Sequence, residues 1–475
     1  MTTRRTTTTS AFGAGGREAH DATPFYRRFH APVLSDDETV LAPTAVPEPF
    51  VCGDARRMDQ VADNSVALVV TSPPYFAGKQ YELEVERDGI PSTFLEYLDL
   101  LRAVFAECVR KLEPGGRMAV NVANLGRRPY RSLSADVIRI LGDDLGLLLR
   151  GELIWRKAEG ATGSCAWGSY RRAANPVLRD LTERVIVASK GRFDRARSPR
   201  RRAAEGLPHE STVTGDEFLA STLDVWSLPP ESATRVGHPA PFPVELPERL
   251  IQLYTYRRDL VLDPFMGSGS TLVAAARSDR RYVGYDLDPG YVALARRRVA
   301  EALAAPGPDP ESRRYLAERD GDTATTLAER TLTEAGFSVV GRSRRLRGTG
   351  VAVDIVGRDA DGADWFFDVV GPFTRQGGML RTEEVWRALG RAAALSSARG
   401  ATPLVVVTTQ PPPRPGPGDA ALRAAGPGVV FDVVDVLDDD GFERLQRYAK
   451  GAMTSTPLFG FWTARDLGRG PAGRA

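Results

Sequence analysis

Short unbroken apolar runs recur along the first three hundred residues, and stretches with helical spacing separate them. Val66-Ala67-Leu68-Val69-Val70, Met118-Ala119-Val120-Asn121-Val122, Glu152-Leu153-Ile154-Trp155, Val185-Ile186-Val187-Ala188-Ser189, Leu260-Val261-Leu262 and Arg281-Tyr282-Val283-Gly284-Tyr285 read as strands, most of them buried on both faces. Leu98, Leu101, Val104, Phe105 and Val109 fall on one face of an amphipathic helix over Leu95 to Lys111. Pro114-Gly115-Gly116 is expected to end it. Asp136 to Leu141 and Leu272 to Ala276 also read as helical. Strands alternating with helices predict an α/β fold whose mostly parallel sheet carries helices on both faces. Residues 203–222 are weakly patterned and support no assignment.

The pattern changes twice. Residues 1–24 are rich in Thr, Gly and Arg and are expected to be disordered, with Phe25-Tyr26-Arg27-Arg28-Phe29 docking onto the first domain. Residues 301–312, rich in Ala, Pro and Gly, read as a linker. A smaller C-terminal α/β domain is expected over 313–450. Its predicted elements are a helix (Leu327 to Ala335), strands (Phe337 to Val340, Val351 to Val356, Trp365 to Val370), a long helix (Glu383 to Ala398) and a strand (Pro403 to Thr408). Pro411 to Gly418 reads as a loop, and residues 451–475 as a loosely ordered tail.

Composition narrows the class. The chain has 475 residues, enough for two or three domains, with 42% hydrophobic and 26% charged residues, as expected of a chain with a real core. No apolar run is long enough to span a bilayer, and the Arg- and Thr-rich start lacks the apolar segment of a secretory signal. Cys52, Cys108 and Cys165 have neither metal-ligand nor disulfide spacing, which fits a reducing cytoplasm and predicts no metal among them. The net charge of +2 is uninformative, but the 63 basic residues cluster. Arg195, Arg197, Arg200, Arg201 and Arg202 have few acids among them. Taken alone, the run reads better as a solvated, flexible loop. It lies between two strand-end motifs, one closing at Tyr75 and the other opening at Asp263, and phosphate contact is favoured only by the family resemblance those motifs carry.

Chemistry concentrates at those two strand ends. Thr71-Ser72-Pro73-Pro74-Tyr75 follows the first buried strand, at the place where open α/β sheets bind ligands. Prolines fix the backbone and carry no N–H, so neighbouring carbonyls can face a ligand's amino group. Tyr75 can stack on a flat ring. The second motif is Asp263-Pro264-Phe265-Met266-Gly267-Ser268-Gly269-Ser270-Thr271, between a strand and a helix. Gly267 and Gly269 permit a tight turn and close approach of a ligand. Asp286 ends the next strand, about twenty residues on, where nucleotide-binding folds place a carboxylate on ribose hydroxyls. The glycine spacing is not that of a dinucleotide fingerprint, and no Lys comes after it as in a P-loop. The ligand should carry a ribose but need not carry phosphate, and S-adenosylmethionine fits.

Together these residues resemble the amino-group DNA methyltransferases that form N4-methylcytosine or N6-methyladenine. The order, target-base motif before cofactor motif, is similar to the circularly permuted beta class. Gly53-Asp54 resembles the turn whose carboxylate holds the cofactor's adenine. His238-Pro239-Ala240-Pro241-Phe242-Pro243, followed by Leu246-Pro247-Glu248-Arg249-Leu250-Ile251, resembles the segment packed over its methionine end. Gly168-Ser169-Tyr170, Asn175-Pro176, Leu178-Arg179-Asp180 and Glu183 match a run before the recognition region. The resemblance covers residues 25–300, with a recognition segment at about 190–222. It implies a Rossmann-like S-adenosylmethionine-dependent sheet, double-stranded DNA as partner, a place in restriction or defence, and no membrane.

It also implies site roles. Ser72, Pro73, Pro74 and Tyr75 would be catalytic, while Asp54, Pro241, Phe242, Asp263, Phe265, Gly267, Gly269 and Asp286 would hold the cofactor. Ser72 favours cytosine N4, with adenine N6 as the alternative. No cysteine lies in a Pro-Cys context, which disfavours 5-methylcytosine chemistry. A methyltransferase of protein glutamine or RNA, and a DNA-binding module with a dead methyltransferase half, remain as rivals. In the C-terminal domain Asp354 and Asp368 resemble the carboxylates of a restriction-endonuclease-like (Mrr-like) fold and are weak metal candidates. Val370 stands where that chemistry needs a lysine, so an inactive nuclease-like module that helps bind DNA or a partner is expected; an active nuclease fusion, with Arg387 as the migrated cation, and carboxylates without a function are the alternatives.

Overall fold

The computed structural model describes residues 33–74, 93–124, 130–157, 171, 173–174, 178, 180–231, 242–304, 313–374, 377–396, 398–451 and 455–467. In chain order the elements of the first sheet and its cover are β1 (Phe50–Cys52), β2 (Val66–Thr71), α1 (Phe94–Lys111), β3 (Leu112–Val122), α2 (Leu133–Arg139), β4 (Leu148–Arg156), β5 (Thr182–Ser189), α3 (Pro199–Ala204), α4 (Gly215–Ser221), β6 (Val225–Ser227), α5 (Glu245–Tyr254), β7 (Leu260–Asp263), α6 (Ser270–Arg277), β8 (Arg281–Asp286) and α7 (Pro289–Ala304). The strand order is β1-β8-β7-β2-β3-β5-β4-β6. From β1 to β3 all pairs are parallel, whereas β5 runs antiparallel to both β3 and β4.

The apolar runs are unbroken because both faces of the sheet are covered. Successive residues feed two different cores. Met118, Val120, Leu260, Leu262, Ile186 and Ala188 pack under α1 with Leu101, Val104 and Phe105. Ala119, Val261, Val185 and Val187 face the other way, against Leu246, Leu250 and Ile251 of α5 and Ala274 and Ala275 of α6. Helix α1 starts on a reciprocal cap between Thr93 and Glu96.

Two local expectations are revised. Pro114-Gly115-Gly116 does not end α1, which stops at Lys111. It forms an irregular start to β3, where the register shifts between Val66 and Leu68 of β2. Gly115 adopts φ +78°, and a Cβ there would lie 2.0 Å from the Asp194 carbonyl oxygen. The helix over 136–141 is α2 followed by a π-turn at Ile140–Asp144.

Gly115 admits the chain that carries the basic run. Its N–H donates to the Lys190 carbonyl, and Ala196 N–H donates to Pro114. This seats the arginines on the sheet. Arg195, with only 11% of its side chain exposed, bridges Glu113 and Asp259 at 2.6 Å each. Arg202, wholly buried, reaches Glu113 at 3.1 Å and the Pro208 carbonyl at 2.7 Å. Both guanidinium groups lie over the Tyr256 ring. The expectation of phosphate contact is therefore corrected for Arg195 and Arg202: two buried carboxylates hold them inside. Arg197 pairs with Glu205, Arg201 pairs with Glu205 and Glu38, and Arg200 is exposed. The weakly patterned stretch 203–222 contains α4, begun on a Thr214–Glu217 capping box.

A second sheet comes after it, built from α8 (Arg313–Asp320), α9 (Ala324–Ala335), β9 (Ser338–Arg345), β10 (Ala352–Arg358), β11 (Asp364–Val369), α10 (Thr382–Ser396), β12 (Leu404–Thr408), α11 (Pro417–Ala425), β13 (Asp432–Asp435) and α12 (Asp439–Ala449). Its order is β13-β12-β11-β10-β9, parallel from β13 to β11 and antiparallel from there to β9. Trp365, Phe367, Val405 and Val407 pack with α9 and α12, while Phe366, Leu404 and Val406 pack with α10. Among the described residues no helix is long and apolar enough to cross a membrane.

Glu113→Gln would leave two buried guanidinium groups sharing Asp259. It is expected to destabilise the chain by about 3–5 kcal/mol, read as a lowered urea midpoint. Arg200→Gln should stay within about 0.5 kcal/mol of the parent. Equal midpoints for the two variants would contradict this account of the basic run.

Candidate active site

The carboxyl ends of β2, β7 and β8 meet at one place. β7 is the strand between β2 and β8, so the Ser72 loop and the glycine turn are neighbours across the sheet edge. Thr71, the last residue of β2, donates its hydroxyl to Asp263 Oδ1 at 2.7 Å. The same oxygen accepts the Phe265 N–H at 3.1 Å, which bends the chain out of β7. Thr271, on the helix after the turn, donates back to the Val70 carbonyl at 3.3 Å. Two side-chain bonds thus stitch the motifs together.

Asp263 is fully buried, and burial pushes its carboxyl up to about 6, against the hydrogen bonds from the Thr71 hydroxyl and the Phe265 N–H. Its second oxygen, Oδ2, is buried and makes no hydrogen bond among the described residues. Such an acceptor favours a cationic donor from a ligand. Asp286, at the end of β8, accepts the Gly267 N–H on Oδ2 and the Asp288 N–H on Oδ1, both at 2.9 Å. Burial also raises its carboxyl. Each oxygen keeps a lone pair, enough to accept from ribose hydroxyls. Gly269 holds φ +79°, and a Cβ there would lie 2.7 Å from Ala295 Cβ, so the turn packs directly on α7.

The edge strand β1 brings in Asp54. Cys52 is in register with Asp286, and Gly53 N–H donates to the Asp286 carbonyl at 2.9 Å. The Asp54 carboxylate turns toward Arg56, whose Nε donates to it at 2.8 Å; this bond holds the carboxyl below its usual value. Phe242 is half-buried, and its carbonyl accepts from Ser270 Oγ at 3.0 Å, tying the segment before α5 to the glycine turn. Phe265 is half-buried beside the core under α1. Pro241, His238, Tyr75, Gly168-Ser169-Tyr170 and Asn175-Pro176 lie outside the described residues.

On the other side of Thr71, Pro73 is buried and Pro74 half-buried. The Tyr97 hydroxyl of α1 donates to the Pro74 carbonyl at 2.5 Å, which occupies that oxygen and pins the loop. Ser72 Oγ lies 3.4 Å from Asn121 Nδ2 of β3. Asn121 Nδ2 also donates to Glu183 Oε2 of β5 at 2.5 Å, and Lys157, just past β4, pairs with Glu183. Four neighbouring strands therefore contribute one polar chain, Ser72–Asn121–Glu183–Lys157. Sequence reasoning left Asn121 out and did not find Lys157. The signal was a polar residue inside an apolar run, at Asn121, and an acid opening another, at Glu183.

In the second sheet, Asp354 and Asp368 sit on the neighbouring strands β10 and β11. Arg391 of α10 lies between them, 3.2 Å from Asp354 and in direct contact with Asp368. Arg387, the expected cation, instead pairs with Glu384 on the surface. Arg391 lies one helical turn further along, on the face turned to the sheet. Burial, with Asp354 close by, pushes Asp368 up to about 7, against Arg391. A guanidinium between the carboxylates leaves a cation no free pair of oxygens. Among the described residues no group of three or more His, Cys, Asp or Glu comes together.

Residues 66–297 match the family model N6_N4_Mtase, described as DNA methylase. Among similar proteins, the Type II methyltransferase M.MjaI of Methanocaldococcus jannaschii is 28% identical over 273 residues, covering 50% of this chain and 86% of that one. M.MthZI of Methanothermobacter thermautotrophicus is 29% identical over 269 residues, covering 52% and 74%. A DNA modification methylase of Thermus thermophilus, solved with S-adenosyl-L-methionine, is 30% identical, covers 53% of this chain and 93% of that one, and aligns with a TM-score of 0.39. This part of the chain belongs to the amino-group DNA methyltransferases. Its sheet is a Rossmann-like methyltransferase sheet, and its cofactor is S-adenosylmethionine.

Thr71→Val removes the donor to Asp263 and should destabilise the chain by about 1–2 kcal/mol, whereas Thr71→Ser should retain most of the stability. Asp263 also sets a pH dependence. Its folded value of about 6 exceeds the ordinary 3.8, so the folded state holds the proton longer. Stability from this group is full at low pH and declines as pH rises from about 4 through about 6. Asp263→Asn should flatten that decline in a series of denaturant midpoints, and an unchanged pH profile would contradict the burial argument.

Proposed function

We propose that the chain methylates an exocyclic amine in double-stranded DNA, with cytosine N4 as the target. The observation that carries this reading is the juxtaposition across Thr71: acceptors suited to an amino group on one side, a buried carboxylate and a ribose-binding turn on the other. The target base must leave the helix stack to reach them. Ser72 Oγ and the Pro73 carbonyl accept the two N–H bonds of the amine, localising its lone pair on nitrogen. Asn121 donates to Ser72 Oγ and so turns the hydroxyl's remaining lone pair toward the base. Glu183 and Lys157 hold Asn121 in place. Tyr75 stacks on the base.

When bound, S-adenosylmethionine supplies an electrophilic methyl on a sulfonium. Asp286 would hold the ribose, the Gly267–Gly269 turn would let the backbone approach, Asp54 and Phe265 would hold the adenine, and Pro241 and Phe242 would hold the methionine end. Asp263, through its unspent oxygen, would accept from the amino group of that end. Positioning is the main catalytic device, because the amine attacks carbon directly and no protein nucleophile is needed. A hydroxyl rather than a carboxylate at position 72 favours cytosine. The exposed basic residues of the run, Arg200 and Arg201, are available to DNA, Arg201 once Glu205 and Glu38 release it, while Arg197 is half-buried against Glu205.

The five-stranded sheet is read as a nuclease-like unit without hydrolytic activity, supported by Arg391 between Asp354 and Asp368 and by Val370 at the position that needs a lysine. A role within a restriction or defence system is consistent with the Type II methyltransferases that the chain resembles.

Duplex DNA incubated with the protein and methyl-labelled cofactor, then hydrolysed to nucleosides, should yield labelled N4-methylcytosine. Label only in N6-methyladenine would overturn the base assignment, and label in protein alone would overturn DNA as substrate. Glu183→Gln should lower kcat about 10- to 100-fold, the equivalent of losing about 1.4–2.7 kcal/mol of positioning, with cofactor affinity unchanged. Cofactor affinity should itself fall below pH 6 as Asp263 takes up a proton, and Asp263→Asn should abolish that dependence.

A further inference from the structure

We propose that the free edge of the five-stranded sheet is a contact surface for the phosphate backbone of duplex DNA. Among the described residues strand β9 pairs only with β10, so one row of its backbone groups has no described strand beside it. The sequence at this edge is Gly341-Arg342-Ser343-Arg344-Arg345-Leu346-Arg347, and all four arginines are exposed. Ser343 adopts φ +47°, and Arg342 to Arg345 are exposed in succession.

The charge there is poorly neutralised. Arg342 is bound by Glu329 at 2.9 Å. Arg344 comes no closer than 4.0 Å to Asp364, and Asp364 is already engaged by Arg358 at 2.8 Å. The side chains of Arg345 and Arg347 form no ion pair or hydrogen bond among the described residues. This contrasts with the basic run at 195–202, where carboxylates take up four of the five guanidinium groups. In a chain of net charge +2, a local excess of this kind is the electrostatic footprint expected of a polyanion-binding face. Successive strand residues are spaced ~3.3 Å apart, and a duplex carries one charge per ~1.7 Å of axis. Neighbouring arginines can therefore meet different phosphates.

The sheet that carries this edge is also tied to the methyltransferase part. Asp216 Oδ2, at the start of α4, accepts N–H bonds from Ala324 at 2.7 Å and Phe373 at 2.8 Å. Thr214 donates its hydroxyl to the Phe373 carbonyl at 2.8 Å, and Gly215 N–H donates to the Gly321 carbonyl at 3.0 Å. One carboxylate thus satisfies backbone donors from two loops of the second sheet. Residues 214–216, in the proposed recognition segment, and the second sheet are thus joined by hydrogen bonds, and β9 belongs to that sheet. The inference rests on DNA as substrate and is independent of which base is methylated.

Charged side chains on an edge strand also prevent edge-to-edge pairing. Charge reversal separates the two roles, because glutamates keep the edge charged while repelling phosphate. The test uses the full chain carrying Arg344→Glu, Arg345→Glu and Arg347→Glu, with fluorescence anisotropy of a labelled duplex of arbitrary sequence across a salt series. The dissociation constant is expected to rise about tenfold or more, and the slope of log affinity against log salt to become shallower by about 2–3. Cofactor affinity should match wild type. The milder Arg345→Gln, Arg347→Gln pair should shift both readouts in the same direction, so a folding defect in the triple variant does not hide the result. Unchanged affinity and slope in the milder pair, alongside normal wild-type binding, would overturn the edge as a DNA contact. Wild-type protein that fails to bind duplex would instead overturn DNA as substrate.

Discussion

The site depends on one buried hydrogen bond. Thr71 and Asp263 are 192 residues apart in sequence, yet the Thr71 hydroxyl and the Asp263 carboxylate meet at 2.7 Å beneath the sheet's carboxyl edge. One belongs to the strand that delivers the Ser72-Pro73-Pro74 loop, the other to the strand that delivers the Gly267–Gly269 turn. A fully buried carboxylate needs donors, and the ones it finds fix the two motifs relative to each other. Methyl transfer by direct displacement tolerates little error in distance or angle, so rigid placement of donor and acceptor loops is the protein's main contribution.

Parallel pairing sets the frame for that bond. β7 lies between β2 and β8, so all three strands end on the same side, and both motifs emerge where the sheet has no further strand to cover them. The antiparallel strand β5 serves a second purpose. Running the other way, it brings Glu183 at its beginning level with Asn121 near the end of β3, and so supplies a carboxylate to the site from a strand that would otherwise only extend the sheet.

Much of this was legible in the sequence because buried strands write themselves as apolar runs and strand-end motifs adjoin them directly. The runs at 66–70, 260–262 and 281–285 match β2, β7 and β8 to within a residue or two. What could not be read were the partners that depend on register between distant strands. Asn121, Glu183 and Lys157 are separated by tens of residues, and only pairing of β3, β5 and β4 aligns them. The basic run misled for a physical reason: arginine serves equally well as a surface phosphate ligand and as a buried bridge between carboxylates. Glu113 and Asp259, the acids that capture Arg195 and Arg202, are remote in sequence. The cation near Asp354 and Asp368 was placed one helical turn early, at Arg387, since nothing local tells which turn of α10 faces the sheet. The stretch 203–222 resisted assignment because α4 is short and is anchored by its caps and by Asp216 rather than by an apolar stripe.

A crystal structure of the protein with S-adenosylmethionine tests the central claim most directly. The account predicts the ribose on Asp286, the amino group within hydrogen-bond reach of Asp263, and the sulfonium methyl opening toward Ser72 and Pro73. A cofactor bound away from the Gly267 turn, or one whose methyl points away from Ser72 with the Thr71–Asp263 bond intact, would contradict it.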